Sequence, residues 1–229
     1  MQCVILAAGR GTRMGALTDT TPKPMLPILG KPLLEWKLAT LPESIDEVFI
    51  TIGHLGEQIK SYFGSEWQGK KIQYIRHEKL DGTGGSIHLV EQSGLLRFPV
   101  LVIMGDDLYR SEDLTRLMKY PLAVLACEMQ NSSQFGVLRT DENGRLTQIM
   151  EKPHPAEYKL VNTGAYMLDR HFFEYPLVAI SETEYGLPQT LVQMRDTYDI
   201  VVEKTTIWFP IGTPEALETA QTKIKKFLI

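Results

Sequence analysis

The 229-residue chain is defined first by what it has little of. Its two cysteines, Cys3 and Cys127, lie far apart, with no CxxC pair or His/Cys cluster. Neither a disulfide framework nor a structural zinc site is expected, and both thiols read as buried. No apolar run approaches the roughly 20 residues of a membrane span. No cationic-hydrophobic signal segment opens the chain, so no membrane association is expected and the cytoplasm is the default compartment. Excess positive charge is also missing. Lys and Arg number 24 against 28 Asp and Glu, a formal charge of -4. Nucleic acid is therefore not an expected partner, although a local basic pocket fits within that total. There is no repeat, linker or low-complexity tail. What remains is ordinary for a globular protein, 43% hydrophobic and 23% charged, and long enough for one core or one core with an appended lobe.

The richest stretch is the first. An apolar run from Cys3 to Leu6 passes through Ala7 and Ala8 into Gly9, Arg10, Gly11, Thr12 and Arg13, and later into Pro22, Lys23 and Pro24. The run suits a buried strand, and the glycines after it let a ligand approach the backbone closely. Backbone N–H groups in such a turn favour phosphate, particularly where a helix starts. Arg13 and Lys23 add positive charge.

Apolar residues within Pro32–Leu41 predict a helix, Val48–Ile52 a strand, Glu57–Phe63 a short helix and Ile72–Ile75 a third strand. Such alternation implies a mostly parallel sheet covered on both faces. Asp81 to Ser86 reads as a flexible loop entering a helix, with three glycines that serve either a sharp turn or contact with a base or ribose. Val100–Met104 predicts a strongly apolar strand ending in Gly105, Asp106 and Asp107. A carboxylate at the C-terminal edge of a parallel strand lies where such sheets bind ligands. Asp106 reads as a magnesium ligand and Asp107 as a helix cap or surface residue.

From there the alternation weakens. Ala123–Glu128 is a strand, and 135–139 and 146–150 form a hairpin across an Asp141–Gly144 turn. A loop leads to residues 160–168, after which 187–194 read as helical, 200–203 and 205–209 as two short strands, and 215–226 as a closing helix. The second half thus reads as a smaller antiparallel or mixed lobe sharing a cleft with the first. His154 and His171 lack ligand-like spacing and read as packing or surface residues.

LAAGRGTRM…KPMLPILGKPLLEW, MGDD, EKP, VNTGAY and W-x-x-IGTPEAL, in that order, resemble the sugar-1-phosphate nucleotidyltransferases over nearly the whole chain. The resemblance implies an α/β fold with a doubly wound, mostly parallel Rossmann-like sheet and a smaller mixed or antiparallel sugar-binding lobe. Residues 1–229 would form a single domain, about 1–122 mainly holding nucleotide and about 123–229 mainly holding sugar. It further implies magnesium-dependent displacement of pyrophosphate from a nucleoside triphosphate by a sugar 1-phosphate, with a homodimer as the assembly to test. Leu6, Ala8, Gly9, Gly11 and Thr12 would lie along the nucleotide. Arg13 would aid pyrophosphate departure, and Lys23 would contact nucleotide phosphates or the attacking phosphate. Gly82, Thr83 and Gly84 would approach the base, and Asp106 would hold Mg2+. Gly136, Glu151, Asn162, Gly164 and Glu184 would form the sugar site, with Lys152 on the sugar phosphate.

Two departures from the family pattern matter. Relatives commonly carry an aspartate before the IGT segment as a second carboxylate on magnesium, and here that residue is Pro210. DGTGGS also replaces an LGTAGA-like run, so the choice of base stays open, with uridine or deoxythymidine and glucose 1-phosphate the first expectation. Rival readings are a catalytically silent nucleotide-sugar-binding homologue and transfer to another phosphorylated alcohol such as phosphocholine. A nicotinamide oxidoreductase would prefer a GxGxxG turn and an acidic ribose ligand, whereas here the turn runs on into Arg13 and PKP.

Overall fold

The apolar runs become the strands of one ten-stranded sheet in a computed structural model that describes residues 1–227. Residues 228–229, part of the expected domain span, lie outside the described residues. The first five strands are β1 (Gln2–Leu6), β2 (Glu47–Ile52), β3 (Glu66–Trp67), β4 (Lys70–Arg76) and β5 (Val100–Met104). The others are β6 (Ala123–Glu128), β7 (Val137–Thr140), β8 (Leu146–Met150), β9 (Leu160–Leu168) and β10 (Val201–Thr205). The main path runs β3-β4-β2-β1-β5-β9-β6-β10, and the β7–β8 hairpin joins the N-terminal end of β9 at Val137 and Val161.

The block β4-β2-β1-β5 is parallel, as the alternating first half predicts. Leu6 pairs with Thr51 on one side and Met104 on the other, so these strands end level and share one carboxyl edge. The second half extends this same sheet, because β9 inserts antiparallel between β5 and β6.

Helices α1 (Leu33–Ala39), α2 (Gly56–Phe63) and α4 (Ser111–Leu117) cover one face of the sheet, and α3 (Gly82–Glu91) and α5 (Leu187–Val192) the other. Side chains alternate accordingly. Cys3 and Ile5 face one core while Val4 faces the other, and Leu101 and Ile103 oppose Val100 and Val102. Helix α6 (Pro214–Lys223) builds a third cluster, in which Leu217 and Ala220 pack with Met14, Leu33 and Ile211. Among the described residues no helix is long and apolar enough to cross a membrane. Cys3 and Cys127 are free and buried.

Three local expectations change. Gly82, Gly84 and Gly85 lie inside the first turns of α3, where the sequence predicts a flexible loop. Close packing explains them: a Cβ on Gly85 would sit 1.8 Å from Asp81 Oδ1, and one on Gly82 would sit 2.4 Å from the Tyr185 carbonyl oxygen. The two strands expected over 200–209 are β10 plus a two-residue ladder in which Phe209 and Pro210 face Leu108 and Asp107. Asp107 is neither a cap nor a surface residue. Helix α4 starts at Ser111, leaving Asp107 buried within that ladder.

Candidate functional site

The level carboxyl edge opens into a cavity of about 740 Å³. Loops after β1, β4 and β5 line it, as expected for the ends of parallel strands. Those loops are tied together behind it. Gly105 N–H donates to the Leu6 carbonyl (2.8 Å), and Ala7 N–H donates to Thr51 Oγ1 (3.1 Å). Ser86 on α3 donates to the same Thr51 hydroxyl at 3.2 Å.

The glycine turn does not open an α-helix. Gly11, at φ 69°, caps a kinked 3-10 segment over Thr12–Thr18 that Gly15 interrupts. Met14 anchors this segment under α6. Gly9 lies in the cavity wall, and a Cβ there would meet nothing within 4 Å. Gly53, beyond β2, is the opposite case, because its Cβ would stand 2.3 Å from the Ala8 carbonyl oxygen.

Charged side chains from several segments line this cavity. Arg10 and Arg13 line the cavity, and among the described residues neither lies within salt-bridge distance of a carboxylate. Arg13 runs alongside Gly212, whose Cβ would be 3.5 Å from its Nη1. Lys23 is buried beneath Gly11 and reaches Asp106 Oδ2 at 2.5 Å, across 83 positions of sequence.

Behind Asp106 lies a buried polar group. Lys37 on α1 donates to the Asp107 carbonyl and sits 4.7 Å from the centre of the Tyr109 ring. The Tyr109 hydroxyl donates to the Thr163 carbonyl (2.7 Å) and lies 3.3 Å from Asp107 Oδ2. Burial raises the Asp107 carboxyl, as does the Asp106 charge, while Lys37 and Lys23 oppose the rise. Burial lowers Lys37 against the pull of Asp107 and Asp106. Both groups are thus driven toward their neutral forms.

Of the expected nucleotide residues, Leu6, Ala8, Gly9, Gly11, Thr12, Arg13 and Lys23 all line this cavity, as do Gly82, Thr83 and Asp106. Gly84 does not; it packs behind the wall, where a Cβ would be 3.0 Å from Leu177. Of the expected sugar residues only Glu184 lines the cavity, carried with Ile180 on a hairpin.

Gly136, Glu151, Asn162 and Gly164 gather instead where β7, β8 and β9 meet. A Cβ on Gly136 would be 3.2 Å from the Glu151 carboxylate, and Asn162 N–H donates to the Gly136 carbonyl (2.9 Å). The Asn162 amide donates to the Tyr166 hydroxyl (2.8 Å), and its oxygen accepts from Gly164 N–H (3.1 Å). Gly164, at φ 76°, lets β9 pass Met104, which lines the cavity and would be 2.5 Å from a Cβ there. This cluster therefore abuts the cavity through Met104. Lys152, next to Glu151, has its ammonium 3.4 Å from the Gln134 carbonyl.

Several lining residues carry no motif in the sequence. His77, Glu78, Lys79 and Leu80 follow β4, and the one available signal is their place after a strand of the parallel block. Gln189 on α5 donates to Glu151 at 2.8 Å, while its Oε1 is buried without a hydrogen-bond partner.

Asp106 is the carboxylate paired with Lys23, and among the described residues no group of three or more His, Cys, Asp or Glu could hold a metal. Residue 210, where the resemblance implies a second carboxylate, is Pro210 opposite Asp107, and the following N–H of Ile211 donates to the Asp106 carbonyl (3.0 Å). A magnesium ion can be held by one carboxylate plus substrate phosphates and water. The donor set fits the ion on those terms, with phosphate supplying the remainder.

A sequence model described as Nucleotidyl transferase matches residues 2–226. The bifunctional protein GlmU of Methanocaldococcus jannaschii is 33% identical over 174 residues, covering 76% of this chain and 41% of that protein. A UTP–glucose-1-phosphate uridylyltransferase of Synechocystis is 29% identical over 196 residues, covering 76% of this chain and 50% of that one. The chain spans about half the length of such curated relatives, 41% to 56% for those named GlmU. A solved UDP-glucose pyrophosphorylase, complexed with UDP-glucose, superposes with a TM-score of 0.81 at 23% identity, covering 98% of each chain. That likeness is one of fold.

Proposed function

The chain belongs to the Nucleotidyl transferase family, and from that premise we propose that it transfers a nucleotidyl group from a nucleoside triphosphate to a sugar 1-phosphate, releasing pyrophosphate. One observation carries the reading. Arg10, Arg13 and the Lys23–Asp106 pair line one cavity at the carboxyl edge of the parallel strands. That arrangement suits a polyphosphate against the glycine turn, with the nucleoside toward residues 77–83.

In-line attack on the α-phosphorus gathers negative charge on phosphoryl oxygens and on the departing pyrophosphate. The attacking phosphate monoester is already a nucleophile, so the protein mainly positions groups and supplies fixed charge. Arg13 stabilises the leaving pyrophosphate. Lys23 contacts phosphate oxygens from beneath the glycine turn. A bound magnesium ion, held by Asp106 and phosphate oxygens, would neutralise developing charge there. Glu151 and Asn162 accept and donate to sugar hydroxyls, Lys152 approaches the sugar phosphate, and Glu184 closes the site from its hairpin. Uridine or deoxythymidine with glucose 1-phosphate is the first pair to assay, the uridine arm in keeping with the UTP–glucose-1-phosphate uridylyltransferase relative.

Asp106→Ala tests the assignment. We expect cooperative unfolding to survive and turnover to fall by at least about 100-fold, the scale for losing one fixed transition-state contact. Near-normal turnover would remove Asp106 from the mechanism. Pro210 favours a second reading, a silent homologue that binds nucleotide without turning it over. Nucleotide binding together with no product from any triphosphate and sugar 1-phosphate pair would establish that reading.

A further inference from the structure

The charges around Asp106 bear on how a metal reaches the site. Lys23 holds Asp106 Oδ2 at 2.5 Å, with the lysine side chain 8% and the aspartate 30% exposed. A second buried lysine, Lys37, stands behind the same turn, donating to the Asp107 carbonyl. The neighbouring Asp107 carboxylate does not line the cavity, and position 210 offers a proline ring. Two lysines and two carboxylates leave no excess negative charge at this turn to draw a dication out of water. Magnesium sheds its water reluctantly and demands near-ideal geometry.

We propose that Lys23 is a built-in counter-ion that keeps Asp106 free of metal until the triphosphate arrives. The metal then enters only as the triphosphate complex, and the phosphates draw the Lys23 ammonium off Asp106. Lys23 and the divalent cation compete for one carboxylate, and the phosphate charge decides between them. The exchange moves a counter-ion and breaks no covalent bond. Its nucleotide-bound half rests on the proposed function. Its nucleotide-free half concerns only Lys23, Asp106 and Pro210.

The test is Mn2+ binding to the full chain, read as loss of the free-ion electron paramagnetic resonance signal. Without nucleotide, the native protein is expected to show no saturable site that depends on Asp106. Lys23→Met is expected to gain one, with apparent affinity at least about tenfold tighter, because Asp106 is then always available. That gain should vanish in the double variant with Asp106→Asn. With a non-hydrolysable triphosphate, the native protein should immobilise Mn2+, and Asp106→Asn should weaken this.

Saturable Mn2+ binding to the nucleotide-free native protein that Asp106→Asn abolishes would overturn the proposal. So would a folded Lys23→Met with no gain. If Lys23→Met loses cooperative unfolding, Lys23→Gln decides, because it removes the ammonium while keeping a polar side chain beside Asp106. Nucleotide-free Mn2+ binding by that variant, abolished by Asp106→Asn, supports the account, and none overturns it. A protein that binds no triphosphate refutes the proposed function, while the nucleotide-free arms still decide the role of Lys23.

Discussion

Gly9 and Gly53 make opposite predictions for the same substitution. Gly9 has a φ outside the left-handed range, and an added Cβ would meet nothing within 4 Å, so its own fold does not require glycine. Gly9→Ala should leave stability unchanged or raise it by about 0.4–1 kcal/mol, through the narrower unfolded ensemble. Its methyl group would, however, project where a phosphate chain must approach the turn. A displacement of about 1 Å at a reacting phosphate costs on the order of 100-fold in turnover.

Gly53→Ala puts a Cβ 2.3 Å from the Ala8 carbonyl oxygen and 3.3 Å from Leu80. The glycine turn must retreat by about 1 Å, an overpacking cost of about 1–3 kcal/mol, and the melting temperature should fall by roughly 2–4 °C per kcal/mol. The assay is a thermal melt of each variant beside calorimetric titration with a non-hydrolysable triphosphate. Gly9→Ala should separate the two readouts and Gly53→Ala should damage both. A Gly9→Ala protein with native stability and native triphosphate affinity would refute the claim that the ligand lies against this turn.

Other expectations follow from the same structure. Gly164→Ala combines a φ of 76° with a 2.5 Å approach to Met104 Cγ; it should lose about 2 kcal/mol or more in denaturant melts, and native stability would refute the claim that β9 needs glycine to pass Met104. Glu47 is opposed by burial, but Lys71, Gln2 and Gln73 outweigh it and hold its carboxyl below the usual range. Its folded value lies below its unfolded one, so its stabilisation is present above the unfolded value and is lost as pH falls through the folded value. Glu47→Gln should therefore flatten the acid limb of a stability–pH curve, and an unchanged limb would refute this. Burial pushes the Cys3 thiol up to about 12; in the native protein it should resist thiol reagents at neutral pH and react once unfolded, whereas fast native labelling of Cys3 would contradict its place in β1.

The parallel block was legible because both faces of its strands are covered. Cys3–Leu6 and Val100–Met104 therefore read as unbroken apolar runs with no competing period. The start of α3 was hidden by its glycines, whose low helix propensity is outweighed by packing against Asp81 and Tyr185. Propensity does not record a partner some 100 residues away. The place of β9 within the sheet depends on Gly164 clearing Met104, a contact between distant segments that periodicity cannot report. Asp106 was legible from its position at a strand end, but its pairing with Lys23 was not, because 83 residues separate them. His77 to Leu80 went unread because a cavity wall needs only shape and place, with no fixed residue pattern. Pro210 was visible as a departure, and the ladder with Asp107 shows how close to Asp106 it falls.

The most direct measurement is a matrix of nucleoside triphosphates against sugar 1-phosphates with magnesium, scored for both products. The account predicts nucleotide-sugar and pyrophosphate in equal amounts from at least one pair, with both lost in Asp106→Ala. Triphosphate binding with neither product from any pair would contradict it.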